Sequence, residues 1–174
     1  MHLIIMVNGA FGVGKSTTTE LLAAQLPNSM IYDPEEIGYM LWKVTASVEE
    51  RGDFQDLPLW RTLTVIVAEQ LRKQYQRTLI VPMTLANPSY FREIKTGLAQ
   101  LDPELYHFCL TASVATIHAR LTNRGDSAGS WAFQQTVRCV EALQASEFQE
   151  QIDTEQHNAQ DVVQIILSRI HALR

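Results

Sequence analysis

Residues 9–16 read Gly9-Ala10-Phe11-Gly12-Val13-Gly14-Lys15-Ser16, and the interpretation of the whole chain starts from them. They fit the pattern G-x-x-x-x-G-K-[ST] of a phosphate-binding P-loop. Glycines allow backbone dihedrals that turn several N–H groups towards one phosphate, with no side chain in between. We expect Lys15 to reach the β- and γ-phosphates of ATP and the Ser16 hydroxyl to ligate Mg²⁺.

The sequence on either side of this loop supports the same interpretation. The apolar run from Leu3 to Val7 is typical of a buried parallel strand, and residues 16–26 predict a helix that ends before Pro27. A P-loop requires this order of strand, glycine-rich loop and helix. The residues expected to contact the nucleotide are Gly9, Ala10, Phe11, Gly12, Val13, Gly14, Lys15, Ser16 and Thr17.

Length and composition limit the class of protein. The chain has 174 residues, of which 46% are hydrophobic and 19% charged, and its formal net charge is −5. This indicates a single domain over residues 1–174. An acidic chain without a long basic run is not expected to bind nucleic acid. With no signal-peptide pattern and no run near the roughly 20 apolar residues of a membrane span, we expect a cytoplasmic protein with Cys109 and Cys139 as free thiols.

Short apolar runs alternate with amphipathic stretches along the chain. Strands are predicted at residues 3–7, 29–32, 78–81, 105–110 and around Ile152. Strands that alternate with helices imply a parallel sheet covered on both faces. The expected fold class is therefore α/β, a three-layer α/β/α P-loop NTPase fold with a five-stranded parallel sheet. It should be nucleotide-kinase-like, with a short lid at about residues 125–133 because residues 125–130 are rich in Gly and Ser.

Several local features can also be predicted. Pro82 should end the third strand, since proline cannot donate to a sheet. Residues 47–57 should form an exposed loop, and Asn87 should cap a helix that begins at Pro88. The helix from Pro58 to about Gln76 is expected to bury Leu59, Leu63, Ile66, Val67 and Leu71. The last helix is expected to bury Val162, Val163, Ile166, Leu167, Ile170 and Leu173.

Asp33 follows the second predicted strand, so it should lie at the same edge of the sheet as the P-loop. A carboxylate there can take the proton from an attacking hydroxyl or hold a water of Mg²⁺. The alternative is structural, because Asp33-Pro34-Glu35-Glu36 is also a typical helix start with Asp as the N-cap. The two roles are compatible.

Basic residues flank the glycine- and serine-rich segment. Arg120 and Arg124 are four residues apart on one helix face, where two guanidinium groups can neutralise a phosphoryl group in transfer. One of them can also lie over the adenine ring. The alternative is a solvated helix end, where arginine complements the C-terminal dipole. Arg138, on the next helix, is a further candidate for the same centre.

A second group of candidates should face the acceptor. Trp60 and Arg61 begin the long helix, and Thr84 follows the third strand. Aromatic, basic and hydroxyl groups in these places can hold a ring or a sugar. Core packing is the alternative for Trp60. The third strand lacks the acidic residue that supports Mg²⁺ in many P-loop NTPases, which favours a small-molecule kinase over a force-generating ATPase.

The chain also resembles the bacterial tunicamycin-resistance proteins over nearly its whole length. The similar segments are Asn8 to Ser16, Tyr32-Asp33-Pro34-Glu35, Pro58-Leu59-Trp60-Arg61, Ile80-Val81-Pro82-Met83-Thr84, Ser130-Trp131-Ala132 and Arg138-Cys139-Val140-Glu141. The resemblance implies an ATP-binding cytoplasmic protein that protects a bacterium from tunicamycin, a uridine-containing nucleoside with a fatty-acyl tail. The acyl tail would allow weak contact with the membrane surface.

Three functions remain open from the sequence. The first is an ATP-dependent kinase for a hydroxyl of tunicamycin or a related nucleoside, with Asp33 as base and Arg120 and Arg124 as the clamp of the γ-phosphoryl group. The second is a protein that sequesters the drug in an ATP-dependent way without chemistry. The third is a kinase for another nucleoside or nucleotide sugar. ATP and Mg²⁺ are the expected cofactors of the kinase.

Overall fold

A parallel sheet of five strands lies at the centre of the computed structural model, which describes residues 2–172. The strands are β1 (Ile4–Gly9), β2 (Ser29–Ile31), β3 (Thr78–Met83), β4 (Tyr106–Thr111) and β5 (Gln151–Asp153). Their order is β2-β3-β1-β4-β5. The central place suits β1, since its apolar side chains are buried along the whole strand. The predicted five-stranded parallel α/β fold is confirmed.

Helices cover both faces of this sheet. They are α1 (Lys15–Gln25), α2 (Glu35–Val44), α3 (Pro58–Tyr75), α4 (Pro88–Leu101), α5 (Val114–Arg124), α6 (Trp131–Ala142) and α7 (Ala159–Ala172). Leu22 of α1 and Val163 of α7 belong to the core of one face. The helices α2 to α6 enclose the core of the other face. Leu173, predicted on the buried side of the last helix, lies outside the described residues.

Pro82 lies inside β3, where it pairs with Val7 of β1. The N–H of Tyr32 donates to the Ile80 carbonyl, so the backbone N–H and C=O groups of even-numbered residues in β3 point towards β2. Pro82 therefore faces the side of β2, which has already ended at Ile31. The missing N–H of proline costs no sheet hydrogen bond there. The prediction that Pro82 ends the strand is wrong for this reason.

The helix α3 buries a different face from the one predicted. Trp60, Thr64 and Ala68 are buried, whereas Leu59 and Ile66 are exposed. Leu63, Val67 and Leu71 pack at the edge of the core. Burying an indole ring gains more free energy than burying a leucine, so Trp60 sets the rotation of the helix. The buried face of α3 is therefore rotated by about one residue from the predicted face.

The segment 47–57 is exposed over its first half, as predicted, but Phe54 is buried. Phe54 begins a 3₁₀ turn (Phe54–Asp56), and its ring lies 5.1 Å from Trp42 and 5.3 Å from Trp60, measured between centroids. Gly38 of α2 permits this packing, since a Cβ there would lie 2.4 Å from the phenyl ring. The prediction of a fully exposed loop is wrong at this residue.

Polar side chains cap the helices α4 and α6. Asn87 accepts from the N–H groups of Ser89 and Tyr90, which confirms its predicted capping role. Ser130 accepts from the N–H of Phe133 and caps α6. The predicted lid, residues 125–133, thus consists of a six-residue connection and the first turn of α6. The helix α6 itself ends at Ala142.

Two predictions about the chain as a whole can be compared with the structure. In the part of the chain that the structure describes, no helix is at once long and apolar enough to span a membrane. Cys109 and Cys139 are free thiols, as predicted, and both are buried.

Candidate functional site

The P-loop connects the end of β1 to the start of α1. A Cβ at Gly9 would lie 2.8 Å from the carbonyl oxygen of Leu110, so this position has room for glycine alone. Gly12 has a φ of +74°, which residues with a side chain rarely adopt. The loop leads directly into the N-terminus of α1, where unpaired N–H groups and the helix dipole favour an anion.

Lys15 folds back over this loop. Its Nζ donates to the carbonyl oxygens of Gly9 and Ala10, both at 2.9 Å. Burial lowers the pKa of Lys15 to about 8, although the nearby carboxylates of Glu35 and Asp33 oppose the decrease. The ammonium is thus held by neutral carbonyl groups in a poorly solvated place. A phosphate group would supply the negative charge that it lacks.

A cleft of about 570 Å³ lies above the loop. Ser16 and Thr17, in the first turn of α1, are exposed and line it. Its other walls come from the segments after the strands and from α2 and α5, and they include Asp33, Glu35, Thr84, Arg120, Arg124, Thr154, His157 and Asn158. The cleft therefore lies where ligands bind in parallel α/β sheets, at the carboxyl ends of the strands.

Asp33 combines a contact at the start of α2 with a place on the wall of the cleft. One carboxylate oxygen accepts from the N–H of Glu35 at 2.9 Å, which supports the start of α2. The side chain also lines the cleft above the P-loop. Burial raises the pKa of Asp33, and the hydrogen bond from Glu35 opposes that shift. A carboxylate with a raised pKa is a better proton acceptor near neutral pH.

Glu35 is a cleft residue that the sequence interpretation missed. It lines the cleft two residues after Asp33, and its charge has the largest stabilising effect on the Lys15 ammonium. Burial raises the pKa of Glu35. In the sequence it was explained as an acidic residue of a helix start, and the pattern Asp33-x-Glu35 was the signal that could have identified it.

Thr84 comes directly after β3 and lines the cleft. The residue is 4% exposed, and its hydroxyl finds no hydrogen-bond partner among residues 2–172. Its carbonyl oxygen accepts from the Gln55 side chain at 2.7 Å, which fixes the backbone. The structure thus brings Thr84 to the wall of the cleft, with a buried hydroxyl that lacks a partner among the described residues.

Arg120 and Arg124 differ in their surroundings. The guanidinium of Arg120 donates to the Val13 carbonyl at 3.0 Å and to the hydroxyl and carbonyl of Thr154, both at 2.8 Å. It therefore connects α5 to the P-loop and to the segment after β5. Arg124 is 60% exposed and pairs with Asp126 at 2.7 Å. Both line the cleft, but Arg124 is the more exposed of the two.

Three further residues predicted for the site lie elsewhere. Trp60 is 2% exposed, and its indole N–H donates to the Pro34 carbonyl at 2.9 Å, so the alternative of core packing is correct. Arg61 pairs with Glu93 at 2.7 Å, and its guanidinium lies 4.3 Å from the ring of Tyr90. Arg138 is exposed on α6. The predicted contact of Trp60 with a substrate is wrong, and Arg61 and Arg138 do not line the cleft that the described residues form.

Asn8 is a second residue that the sequence interpretation did not assign. It is fully buried at the end of β1. Its Oδ1 accepts from the N–H groups of Gly9 and Leu85, both at 2.9 Å, and its Nδ2 donates to the Leu85 carbonyl at 3.0 Å. This amide joins the beginning of the P-loop to the chain after β3, and so holds the two sides of the cleft together.

The donor atoms of the cleft fit Mg²⁺ that is bound together with phosphates. The exposed Ser16 hydroxyl and the carboxylates of Asp33 and Glu35 line the same space, and Mg²⁺ prefers oxygen ligands. In residues 2–172, no group of three or more His, Cys, Asp or Glu side chains could hold a metal by itself. A magnesium ion here would thus take part of its coordination from phosphates and water, as in kinases generally.

Sheet order, P-loop and cleft define a P-loop kinase-like protein. The match of residues 4–164 to the model of the family described as an AAA domain shows that the chain belongs to that family. No curated protein sequence matches the chain.

Solved structures give a closer comparison. The tunicamycin resistance protein of Deinococcus radiodurans is 29% identical, with a TM-score of 0.82 over 98% of this chain and 96% of that one. A sugar kinase of Janibacter sp. HTCC2649 (14% identity, TM-score 0.70, 97% and 94% of the chains) and a gluconokinase of Sinorhizobium meliloti 1021 (19%, 0.67, 97% and 91%) share the fold. The predicted resemblance to tunicamycin-resistance proteins is confirmed.

Proposed function

We propose that the chain is an ATP-dependent phosphotransferase that acts on a hydroxyl group of tunicamycin or a related nucleoside. The observation that carries the proposal is the pair of carboxylates, Asp33 and Glu35, in the same cleft as Lys15 and the first turn of α1. A transferase needs a proton acceptor beside the γ-phosphate, whereas a protein that only binds ATP has no use for one. The similarity to the D. radiodurans protein supports the choice of substrate.

The P-loop amides and Lys15 bind the β- and γ-phosphates in this proposal. On binding, the Lys15 ammonium exchanges the carbonyl oxygens of Gly9 and Ala10 for phosphate oxygens. Ser16 and Glu35 would hold Mg²⁺, which neutralises charge on the phosphates. Arg120 keeps the loop in shape, and the exposed Arg124 is free to reach the γ-phosphoryl group.

Asp33 accepts the proton of the acceptor hydroxyl. As the acceptor oxygen bonds to the γ-phosphorus, this proton passes to the Asp33 carboxylate. The bond between the γ-phosphorus and the bridging oxygen of the β-phosphate breaks, and ADP leaves with the electron pair of that bond. Burial raises the pKa of Asp33, which improves this base at neutral pH.

Mass spectrometry of tunicamycin after incubation with ATP and Mg²⁺ tests the proposal. We expect the drug to gain one phosphoryl group over many turnovers. An unchanged mass together with tight binding of the drug would support sequestration instead. Phosphorylation of another nucleoside or nucleotide sugar, with none of tunicamycin, would support the third function.

Two variants separate these functions in a bacterial protection assay. Lys15→Ala should abolish protection in either case, because both functions need bound ATP. Asp33→Asn should abolish protection when the drug is phosphorylated and preserve it when the drug is only bound. Full protection by Asp33→Asn would therefore refute the assignment of Asp33 as the base.

We place this reaction in the cytoplasm, where ATP is available. An acceptor with a fatty-acyl tail would bring the protein into weak contact with the membrane surface. The exposed apolar side chains of Met40, Val44 and Val48, on α2 and the segment after it, are candidates for that contact.

A further inference from the structure

A second cavity, of about 720 Å³, adjoins the phosphate cleft. Phe11, Glu35 and Arg124 line both spaces. The remaining lining comes from α2, the segment before α3 and the start of α6: Tyr39, Trp42, Arg51, Gly52, Asp53, Phe54, Gln55, Trp131 and Ala132. A molecule in this cavity can therefore extend towards the γ-phosphate. We call this space the aromatic cavity.

Five aromatic side chains form much of its wall. The rings of Phe11 and Trp131 meet edge to face with 5.0 Å between centroids. Tyr39, Trp42 and Phe54 form a second group, in which the centroids are 5.1 to 5.9 Å apart. Trp131 is 51% exposed and Tyr39 is 41% exposed, so a large part of each ring is not covered by packing. Exposed aromatic faces of this kind bind flat rings by stacking.

Polar groups accompany the aromatic faces. The guanidinium of Arg51 lies 4.2 Å from the ring of Trp42, and Asp53 and Gln55 add a carboxylate and an amide to the lining. A purely hydrocarbon ligand would remove these groups from water without a hydrogen bond in return, which is unfavourable. A ring with polar edges can stack on the aromatic faces and form hydrogen bonds with the groups beside them.

We propose that the aromatic cavity binds a flat heteroaromatic ring of the phosphoryl acceptor and that Trp131 selects for this ring. The inference rests on the proposed function, since it takes the ligand to be the acceptor. It separates this protein from transferases whose acceptors are sugars or sugar acids, because such molecules have no aromatic face to stack on Trp131. The segment that begins α6 thereby determines the specificity for the acceptor.

Calorimetry on the full chain, loaded with a non-hydrolysable ATP analogue, tests this selection. The analogue occupies the P-loop, so added nucleosides report on the second cavity. Uridine and adenosine should bind at least tenfold more tightly than gluconate and hexanol. Trp131→Leu keeps an apolar cover over Phe11 but removes the flat ring, and it should weaken nucleoside binding about tenfold. Trp131→Phe should stay within about threefold of the original affinity, because it retains a flat ring.

Tyr75→Ala is the matched control. Tyr75 is also 51% exposed, and it lies at the end of α3, outside the aromatic cavity that the described residues form. Its removal should leave nucleoside binding unchanged. Affinity for the ATP analogue is measured first in every variant, because Trp131 contacts the P-loop through Phe11.

The inference is overturned if gluconate or hexanol binds as tightly as the nucleosides, or if Trp131→Leu binds nucleosides normally. Its failure differs from that of the proposed function, because the analogue cannot transfer a phosphoryl group. Nucleoside binding without any phosphorylated product from ATP would refute phosphotransfer and preserve the inference. Phosphorylation of a sugar acid, with no nucleoside binding, would refute the inference and preserve phosphotransfer.

Discussion

Single residues of the phosphate cleft are held in states that cost stability in the unliganded chain. The hydroxyl of Thr84 is buried without a partner among the described residues, and Lys15 is an ammonium group with a pKa lowered by burial. Leaving a buried polar group unpaired is unfavourable by about 1–3 kcal/mol. Groups of this kind are typical of sites where a ligand completes the hydrogen bonding. A single substitution tests the role of the Thr84 hydroxyl, and the pH dependence of nucleotide binding tests the role of the Lys15 ammonium.

Replacing Thr84 by valine should separate stability from function. Thr84→Val keeps the shape of the side chain and removes an unsatisfied hydroxyl, so we expect the free energy of unfolding to stay constant or rise by about 1 kcal/mol. Phosphotransfer should fall about tenfold, because a hydrogen bond to the ligand is lost. Chemical denaturation and a steady-state kinase assay measure the two effects.

Thr136→Val is the control for that substitution. The hydroxyl of Thr136 already donates to the Ala132 carbonyl at 2.9 Å within α6. Its loss should lower stability by about 1 kcal/mol or less and leave phosphotransfer unchanged. Equal activity of Thr84→Val and the unmodified chain would show that the Thr84 hydroxyl does not contact a ligand.

The lowered pKa of Lys15 predicts a pH dependence of nucleotide binding. Lys15 is charged below about pH 8 in the free protein, and phosphates favour the charged form, which raises its pKa in the complex. Affinity should therefore be complete below pH 8 and fall as the pH rises above it, by up to about tenfold per pH unit. Calorimetry with an ATP analogue between pH 7 and 9.5 measures this decrease and the proton uptake that accompanies it.

The pH dependence of nucleotide binding in Glu35→Gln can be compared with that of the unmodified chain. The Glu35 carboxylate raises the pKa of Lys15, so its neutralisation should move the start of the decrease to a lower pH. An affinity that stays constant from pH 7 to 9.5 in the unmodified chain would contradict the assignment of Lys15 to the phosphates.

At the level of secondary structure elements, the cleft depends on contacts between elements that are distant in the sequence. Arg120 joins α5 to the P-loop and to the segment after β5, and Gln55 joins the 3₁₀ turn to the end of β3. Gly38 allows α2 to pack directly against the ring of Phe54. Each contact fixes the position of one wall relative to another, so a change in an element can alter the cleft without touching a ligand.

Arg120 and Arg124 should respond differently to substitution. Arg120→Lys cannot reach Val13 and both oxygens of Thr154 at once, so we expect a loss of about 1–3 kcal/mol in stability and weaker nucleotide binding. Arg124→Ala removes only an exposed ion pair and should leave the melting temperature nearly constant while turnover falls. Thermal unfolding and steady-state kinetics distinguish the two. An equal loss of stability in both variants would contradict the assignment of a structural role to Arg120 and a role in turnover to Arg124.

Gly38→Ala should destabilise the packing of α2. The added Cβ would lie 2.4 Å from the Phe54 ring, and overpacking of this kind costs about 1–3 kcal/mol. Gly52→Ala is the control, since a Cβ there meets no atom of the described chain within 4 Å. We expect a lower melting temperature for Gly38→Ala and no decrease for Gly52→Ala. Equal melting temperatures would mean that Phe54 can move aside freely.

For the molecule as a whole, topology determines where the cleft lies. The strand β1 has β3 on one side and β4 on the other, so chain segments leave its carboxyl end in opposite directions. This divergence opens a crevice at that edge of the sheet, and the P-loop lies in it. The same edge carries the segments after β2, β3 and β5, which supply Asp33, Thr84 and Thr154.

Much of this arrangement can be predicted from the sequence because it depends on local patterns. The P-loop, the alternation of strands and helices, the cap at Asn87 and the Asp33 contact at the start of α2 are each encoded within a few neighbouring residues. Glu35 and the aromatic cavity could not be found in this way. Phe54 lies in a polar segment without periodicity, and its burial depends on the missing side chain of Gly38, 16 positions earlier. Trp60 shows the converse, since its position suggested a ligand contact while packing placed it in the core.

The hydrogen bonds of the buried Asn8 side chain have a consequence for its deamidation. Asn8 precedes a glycine, and in a flexible chain the nitrogen of such a glycine readily attacks the asparagine amide, with loss of ammonia. In the native fold the Gly9 N–H is instead hydrogen-bonded to the Asn8 oxygen, and the side chain is held in place by Leu85. Local unfolding that breaks these hydrogen bonds would allow the Gly9 nitrogen to attack the Asn8 amide. The resulting aspartate lacks the N–H group that donates to the Leu85 carbonyl, so a molecule that has deamidated once cannot form that hydrogen bond again.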